Sequence, residues 1–198
     1  RAATSIPLAH VAALPVAAGT AWTALFEYID PANVKTVLVQ GGAGGVGTFA
    51  IQLAKLAGLH VIATTSGPNR ALVESLGADE VIDYRSEDFT RKVKDVDLVL
   101  DTVGGDTQKQ SYSVLRKGGT LLTIVGQPDA ALAREHGVEA KFVRANVTGT
   151  RLEEISGLID AGKIQVIVEK EFPLSDAKAA HLLSESGRAR GKILLRVI

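Results

Sequence analysis

The residues best placed to do chemistry in this sequence carry almost no side chains. They are Gly42-Ala43-Gly44-Gly45-Val46-Gly47, with glycine at the first, third and sixth positions. A G-x-G-x-x-G spacing is common, and its meaning depends on what flanks it. Here the apolar run Lys35-Thr36-Val37-Leu38-Val39-Gln40 leads into it, and Phe49, Ala50, Leu53, Ala54 and Ala57 follow at helical spacing. A strand, a glycine turn and a helix in that order aim the unpaired N–H groups of the helix start, with the positive end of its dipole, at one point. The chemistry available there is anion binding, and in a βαβ unit that anion is the pyrophosphate of a dinucleotide. Gly42 is expected to permit the tight turn, Gly44 the approach of phosphate to the backbone, and Gly47 the close packing of helix on strand.

The end of the second strand, Val61-Ile62-Ala63-Thr64-Thr65, bears on which dinucleotide. A site for NAD usually places a carboxylate about twenty residues past the glycines to accept from the ribose hydroxyls. Counting forward reaches Thr64, Thr65 and Ser66, with Gly67 and Arg70 just beyond and Tyr84 ending the next strand. Hydroxyls and a guanidinium donate well to a 2′-phosphate, so NADPH is the expected cofactor, with Ser66, Arg70 and Tyr84 on its ribose side.

Other chemistries find less footing. The chain has no cysteine, so it has no thiol nucleophile, thiolate metal site or disulfide, which fits a reducing compartment such as the cytoplasm. His10, His60, His136 and His181 are scattered without metal-ligand spacing, and no metal site is expected. The Tyr-x-x-x-Lys pair that activates a catalytic phenol is missing: Tyr112 is followed at that distance by Arg116, and neither Tyr28 nor Tyr84 by lysine. Tyr112 is expected to pack, Asp101 to bond loop backbone, and Lys109 and Lys117 to be solvated. No catalytic residue is assigned.

The elements that must position the glycine turn can be read from periodicity. The 198 residues are 46% hydrophobic, enough for a sizeable core, and Lys plus Arg (22) balance Asp plus Glu (22). Net charge therefore gives no pointer to nucleic acid or an anionic membrane, and no apolar run is long enough to span one. Strand-length apolar runs alternate with helical segments, which favours a parallel α/β sheet. Further strands are expected at Val81-Ile82-Asp83-Tyr84, Val96 to Asp101, Thr120 to Val125 and around Phe142 to Val147. A helix from about Asp106 is expected to end on Arg116, Lys117 and Gly118, and another to run from about Leu152 to Ala161. Ile164 to Phe172 reads as a strand, Ser175 to Ser186 as a helix and Lys192 to Ile198 as a strand, with Gly187 and Gly191 bounding a basic hinge. The expected fold is thus α/β, a doubly wound parallel sheet of Rossmann type over residues 1–163, followed by a strand-helix-strand segment over 164–198.

Several stretches together carry a resemblance. They are Ala12-Ala13-Leu14-Pro15 with Gly19-Thr20-Ala21-Trp22-Thr23-Ala24-Leu25, the turn Val39 to Gly47 with Gln52-Leu53-Ala54-Lys55, and Leu76 to Tyr84. Asp101-Thr102-Val103-Gly104-Gly105 and the ending Gly191 to Val197 complete the set. In this order, over nearly the whole chain, the sequence resembles the medium-chain dehydrogenase/reductases, in their quinone oxidoreductase (zeta-crystallin-like) branch.

The resemblance implies phosphate contacts from Ala43, Gly44, Gly45 and Val46, with Gly47 in the turn, and 2′-phosphate contacts from Ser66 and Tyr84 with Arg70 helping. It implies nicotinamide-side contacts at Val125, Gly126, Ala145, Asn146 and Val147, with Thr20 close by. It also implies a GroES-like catalytic domain ahead of Arg1, partly completed by residues 164–198, so that this is a segment of a longer protein. The activity implied is zinc-free transfer of hydride from NADPH to a quinone, an enone or an alkenal, with a homodimer formed through the sixth strand. Two alternatives stay open: a non-catalytic NADPH-binding or sensor module, and a zinc-type alcohol dehydrogenase whose ligands all lie upstream.

Overall fold

Valine, isoleucine and leucine fill consecutive positions of the central strands, which suits strands covered on both faces. In the computed structural model, which describes residues 1–197, those runs become β1 (Thr36–Gln40), β2 (His60–Thr65), β3 (Glu80–Asp83), β4 (Val96–Asp101), β5 (Leu115–Thr123) and β6 (Glu139–Phe142). They form one six-stranded parallel sheet in the order β3-β2-β1-β4-β5-β6, the doubly wound arrangement.

Alternate side chains of each strand enter two separate cores. Val37, Val39, Leu98 and Leu100 pack on one face with helices α2 (Leu14–Phe26), α3 (Gly45–Leu56) and α8 (Gly149–Asp160). Leu38, Val99 and Leu121 pack on the other with Phe89 of α5 (Phe89–Lys92), the turn residue Tyr112 and Ala133 of α7 (Ala130–His136). Val37, Leu38 and Val39 are wholly buried, and each such side chain contributes about 1.5–3 kcal/mol of hydrophobic stabilisation. The framework holding the glycine turn is therefore rigid.

The remaining helices are α1 (Leu8–Val11), α4 (Arg70–Ser75), α6 (Gly105–Ser111) and α9 (Ala177–Glu185). Strands β7 (Val168–Pro173) and β8 (Lys192–Arg196) pair in parallel as a separate two-stranded sheet. Among the described residues no helix is long and apolar enough to cross a membrane.

Several boundaries differ from expectation for identifiable reasons. The helix beginning near Asp106 stops at Ser111, and a 3-10 turn, Tyr112–Val114, leads straight into β5. Arg116, Lys117 and Gly118 therefore lie in a strand, where Arg116 pairs with Asp97 of β4, and do not cap a helix. The sixth strand ends at Phe142; Val143 N–H still donates to the Thr123 carbonyl of β5 at 2.8 Å, and residues 144–148 then run along α2. Helix α7 has too short an apolar stripe to show in the sequence, although Asp129 caps it through the N–H groups of Ala131 and Leu132 and left-handed Gly137 ends it. The strand expected from Ile164 begins only at Val168. In the last expected strand, Ile198 lies outside the described residues.

Candidate functional site

Strand order reverses between β1 and β4, so the crevice at their carboxyl ends is where a doubly wound sheet receives a ligand. Gln40 and Asp101 stand side by side there. The chain leaves β1 through a turn tied to β2: Gly41 N–H donates to Thr64 Oγ1 at 3.1 Å and Gly42 N–H to the Thr64 carbonyl at 2.8 Å. The left-handed residue is Gly41 (φ +76°), one position ahead of the motif. Gly42 serves close packing, since a Cβ there would come within 3.0 Å of Ala63 Cβ.

Gly47 and Gly44 answer different needs. A Cβ on Gly47 would overlap the Gly41 carbonyl oxygen and lie 2.9 Å from Gly42 Cα, so this glycine lets α3 rest on the turn. A Cβ on Gly44 would meet only the Gly41 carbonyl oxygen, at 3.3 Å, with its remaining side open. The first helix N–H to find an intrahelical acceptor is that of Thr48, bonded to the Gly44 carbonyl at 3.0 Å. Those of Gly45, Val46 and Gly47 precede it and have no carbonyl one turn back. Gly45 is covered by the start of β8, because Gly44 bridges Gly191 and a Cβ on Gly45 would lie 3.2 Å from the Gly191 carbonyl oxygen. The N–H groups of Val46 and Gly47 beside the open Cα of Gly44 fit a phosphate.

Buried polar groups lock the neighbouring loops. Thr64 Oγ1 donates to Gln40 Oε1 (2.6 Å), Gln40 Nε2 to Ser111 Oγ (3.1 Å) and Thr102 Oγ1 to the Gln40 carbonyl (2.7 Å). Asp101 is fully buried and accepts from the N–H groups of Val103 (3.0 Å) and Gly104 (2.8 Å), from Gln108 Nε2 (3.0 Å) and from Thr123 Oγ1 (2.9 Å). It is a loop anchor, as its sequence position suggested. Tyr112 is likewise buried, its hydroxyl accepting from Asp129 N–H, and burial pushes its phenol pKa up.

A cleft of about 860 Å³ opens on this edge and gathers Ala43, Gly44, Ser66 and Tyr84 from the sequence assignment. Ser66 is nearly buried and its hydroxyl accepts from Asn69 Nδ2 at 3.2 Å, while Tyr84 stands exposed at the rim. Gly45, Val46 and Gly47 lie behind this lining, and Arg70 does not join it either. Its guanidinium donates to the Val81 carbonyl (2.8 Å) and to Glu87 Oε1 (2.9 Å), with Glu74 Oε1 at 3.7 Å. The Glu87 carboxyl is held below its ordinary pKa by the hydrogen bond from Lys92, aided by the Asp83 N–H and by the charge of Arg70.

The residues assigned to the nicotinamide side lie outside the lining of this cleft. Val125 packs beside Gly104, where an added Cβ would meet it at 2.9 Å, and Gly126 has open space around it. Residues 145–147 lie along α2: Asn146 N–H donates to Thr23 Oγ1 at 3.2 Å, and Val147 fills the space beside Gly19. Arg151 ties this stretch down by donating to the Asn146 carbonyl while pairing with Glu27. Thr20 is buried and its hydroxyl donates to the Val16 carbonyl at 2.6 Å.

The sequence assignment missed the C-terminal contribution. Gly187, Arg188 and Ala189 line the cleft, and Gly191 N–H donates to the Ala43 carbonyl at 2.8 Å, seating the start of β8 on the glycine turn. The basic stretch between two glycines was the only signal in the sequence, and nothing local says where it returns. Among the described residues no group of three or more histidine, aspartate and glutamate side chains could hold a metal ion.

Comparison with known proteins agrees with this architecture. The family model described as "Zinc-binding dehydrogenase" matches residues 76–195. The mouse (Mus musculus) protein named "NAD(P)H oxidoreductase RTN4IP1, mitochondrial" is 37% identical over 225 residues, covering 98% of this chain and 57% of the relative. The chain thus spans a little under three fifths of that relative's length. The quinone oxidoreductase of Coxiella burnetii superposes with a TM-score of 0.87 at 35% identity, covering 95% of this chain and 60% of that one. The Escherichia coli quinone oxidoreductase complexed with NADPH gives 0.86 at 28% identity, covering 96% and 66%. The chain belongs to the zinc-binding dehydrogenase family of medium-chain dehydrogenase/reductases, in the quinone oxidoreductase branch, and corresponds to the cofactor-binding part of its relatives.

Proposed function

We propose that this chain binds NADPH across the β1/β4 crevice, and that the whole protein uses it to reduce a quinone or an α,β-unsaturated carbonyl without zinc. The observation that carries the reading is the glycine turn at the start of α3, whose Gly41, Ala43 and Gly44 line one cleft with a β2 end that offers Thr65 and Ser66 in place of a carboxylate on β2. Kinship with oxidoreductases whose names specify NAD(P)H and quinone, and the NADPH complex of the Escherichia coli relative, support it.

Bound there, the cofactor would supply hydride from C4 of its nicotinamide. Val46 and Gly47 would donate to the pyrophosphate, and Ser66 and Tyr84 to the 2′-phosphate. The backbone of Val125, Gly126, Ala145, Asn146 and Val147 would set the nicotinamide plane near Thr20. A conjugated acceptor carbonyl takes up charge by itself, so orientation and water exclusion suffice and the chain needs no metal or general acid of its own. Residues 164–198 would complete the domain that holds the substrate, the β6 edge would join two copies, and the absence of cysteine suits a reducing compartment such as the cytoplasm.

The test is oxidation of NADPH by the full-length protein, dialysed against a chelator, with a quinone and with an enone. Turnover that survives chelation is expected, and this chain alone should bind NADPH with little turnover. Tight NADPH binding without oxidation of cofactor by either acceptor class would replace the reductase with a sensor module. Loss of turnover on chelation would point to a zinc enzyme.

A further inference from the structure

Arg70 and Arg85 bracket the β3 end, and the structure separates their duties. Arg70 is committed to other partners, the Val81 carbonyl and Glu87. Glu87 in turn accepts from the Asp83 N–H at 3.1 Å and pairs with Lys92. Together these groups brace the connection between β3 and α5, the segment that brings Tyr84, Arg85 and Ser86 to the cleft.

Arg85 is placed differently. It lines the cleft, its N–H donates to Asp83 Oδ1 at 3.0 Å, and its guanidinium carbon lies 6.0 Å from the Tyr84 ring centroid. Among the described residues no carboxylate or carbonyl accepts from its guanidinium. Two of the acids nearby already have cationic partners. Glu87 has Arg70 and Lys92, and Asp88 caps α5 through Thr90 while pairing with Arg91 at 3.3 Å. Asp83 accepts the N–H of Arg85 at Oδ1, while its Oδ2 faces Gly67, where an added Cβ would meet it at 2.6 Å. Two uncommitted guanidinium groups therefore belong to residues lining the cleft, Arg188 on the C-terminal stretch and Arg85 on the loop that carries Tyr84, and Arg85 is the one next to Tyr84 on a braced backbone.

We propose that Arg85 is the residue that selects NADPH over NADH, its guanidinium meeting the 2′-phosphate through paired charge-assisted hydrogen bonds. Arg70 is a positioning residue that holds the loop carrying it. This rests on the reading of the cleft as an NADPH site.

The experiment is fluorescence titration of the chain and its Arg85→Ala, Arg85→Gln and Arg70→Ala variants with NADPH and with NADH, alongside thermal melts. Both Arg85 variants are expected to lose about tenfold or more in NADPH affinity, to keep NADH affinity within about twofold, and to melt like the parent. Arg70→Ala is expected to melt earlier and to weaken both cofactors in parallel. Arg85 variants that keep the parent's NADPH preference, or a selective loss of NADPH in Arg70→Ala, would overturn the assignment of Arg85 alone. A parent chain that binds NADH as tightly as NADPH would overturn the NADPH reading, and the role of Arg85 with it.

Discussion

Gly44 and Gly47 stand three residues apart in one turn, yet replacing them with alanine should have opposite consequences. At Gly44 the backbone is extended (φ −76°, ψ 174°), a conformation any residue adopts, and the added methyl meets one carbonyl oxygen at 3.3 Å. Loss of backbone freedom in the unfolded chain favours alanine by about 0.4–1 kcal/mol. That offsets the tight contact, so Gly44→Ala should change stability by less than about 1 kcal/mol. The methyl nevertheless occupies the side from which phosphate approaches, and NADPH affinity should fall about tenfold or more, equivalent to about 1.4 kcal/mol.

At Gly47 the methyl runs into the Gly41 carbonyl and lies 2.9 Å from Gly42 Cα, atoms fixed by bonds to Thr64. Neither side can give way, so Gly47→Ala should cost about 3 kcal/mol or more, a large part of a domain's usual 5–15 kcal/mol. Urea melts read the stability of both variants, and NADPH titration reads the binding of Gly44→Ala. A Gly44→Ala chain that binds NADPH like the parent, or one that unfolds as readily as Gly47→Ala, would refute the division of roles.

Three further outcomes are expected. Burial opposes ionisation of Asp97, but the hydrogen bond from Arg116 and the N–H groups of Thr36 and Lys35 outweigh it and hold the carboxyl below its ordinary pKa. That stabilisation is complete above about pH 4 and is lost as pH falls through the lower folded-state value. Asp97→Asn should thus cost about 1–3 kcal/mol near neutral pH and flatten the acid limb of a stability–pH profile measured by urea melts. Asp101→Asn can keep its carbonyl oxygen on the N–H groups of Val103 and Gly104 only by turning its NH2 toward Gln108 Nε2 and Thr123 Oγ1, and should cost about 1–3 kcal/mol while speeding hydrogen exchange across residues 102–105. Arg151→Met releases the Asn146 carbonyl and leaves Glu27 unpaired, so exchange should quicken over residues 143–148 with the β1 amides unchanged.

The central fold was legible because its signals are local and redundant. Strand β4 occupies the expected residues, and α3 follows a turn whose glycine spacing has a steric cause at Gly47. Legibility failed where tertiary partners decide. Arg116 and Lys117 look like the end of a helix, but Asp97 on the adjacent strand draws Arg116 into β5. The sixth strand was expected to run on to Val147, yet past Val143 it is Tyr28, Thr23 and Arg151 that take up the backbone groups of Arg144 and Asn146. At the candidate site, residue type and distance from the glycines singled out Ser66 and Tyr84, but Arg70 and Arg85 look alike in sequence. Only the position of Glu87 tells them apart. The return of Gly187 to Ala189 to the cleft depends on how β8 docks on the turn, which no nearby residue encodes.

The most direct measurement is equilibrium titration of the 198-residue chain with NADPH and with NADH at matched ionic strength, read by reduced-nicotinamide fluorescence. The expected result is saturable binding of one dinucleotide per chain, with NADPH tighter by about tenfold or more and the margin narrowing as salt rises. Equal affinities, tighter NADH, or no saturable binding of either would contradict it.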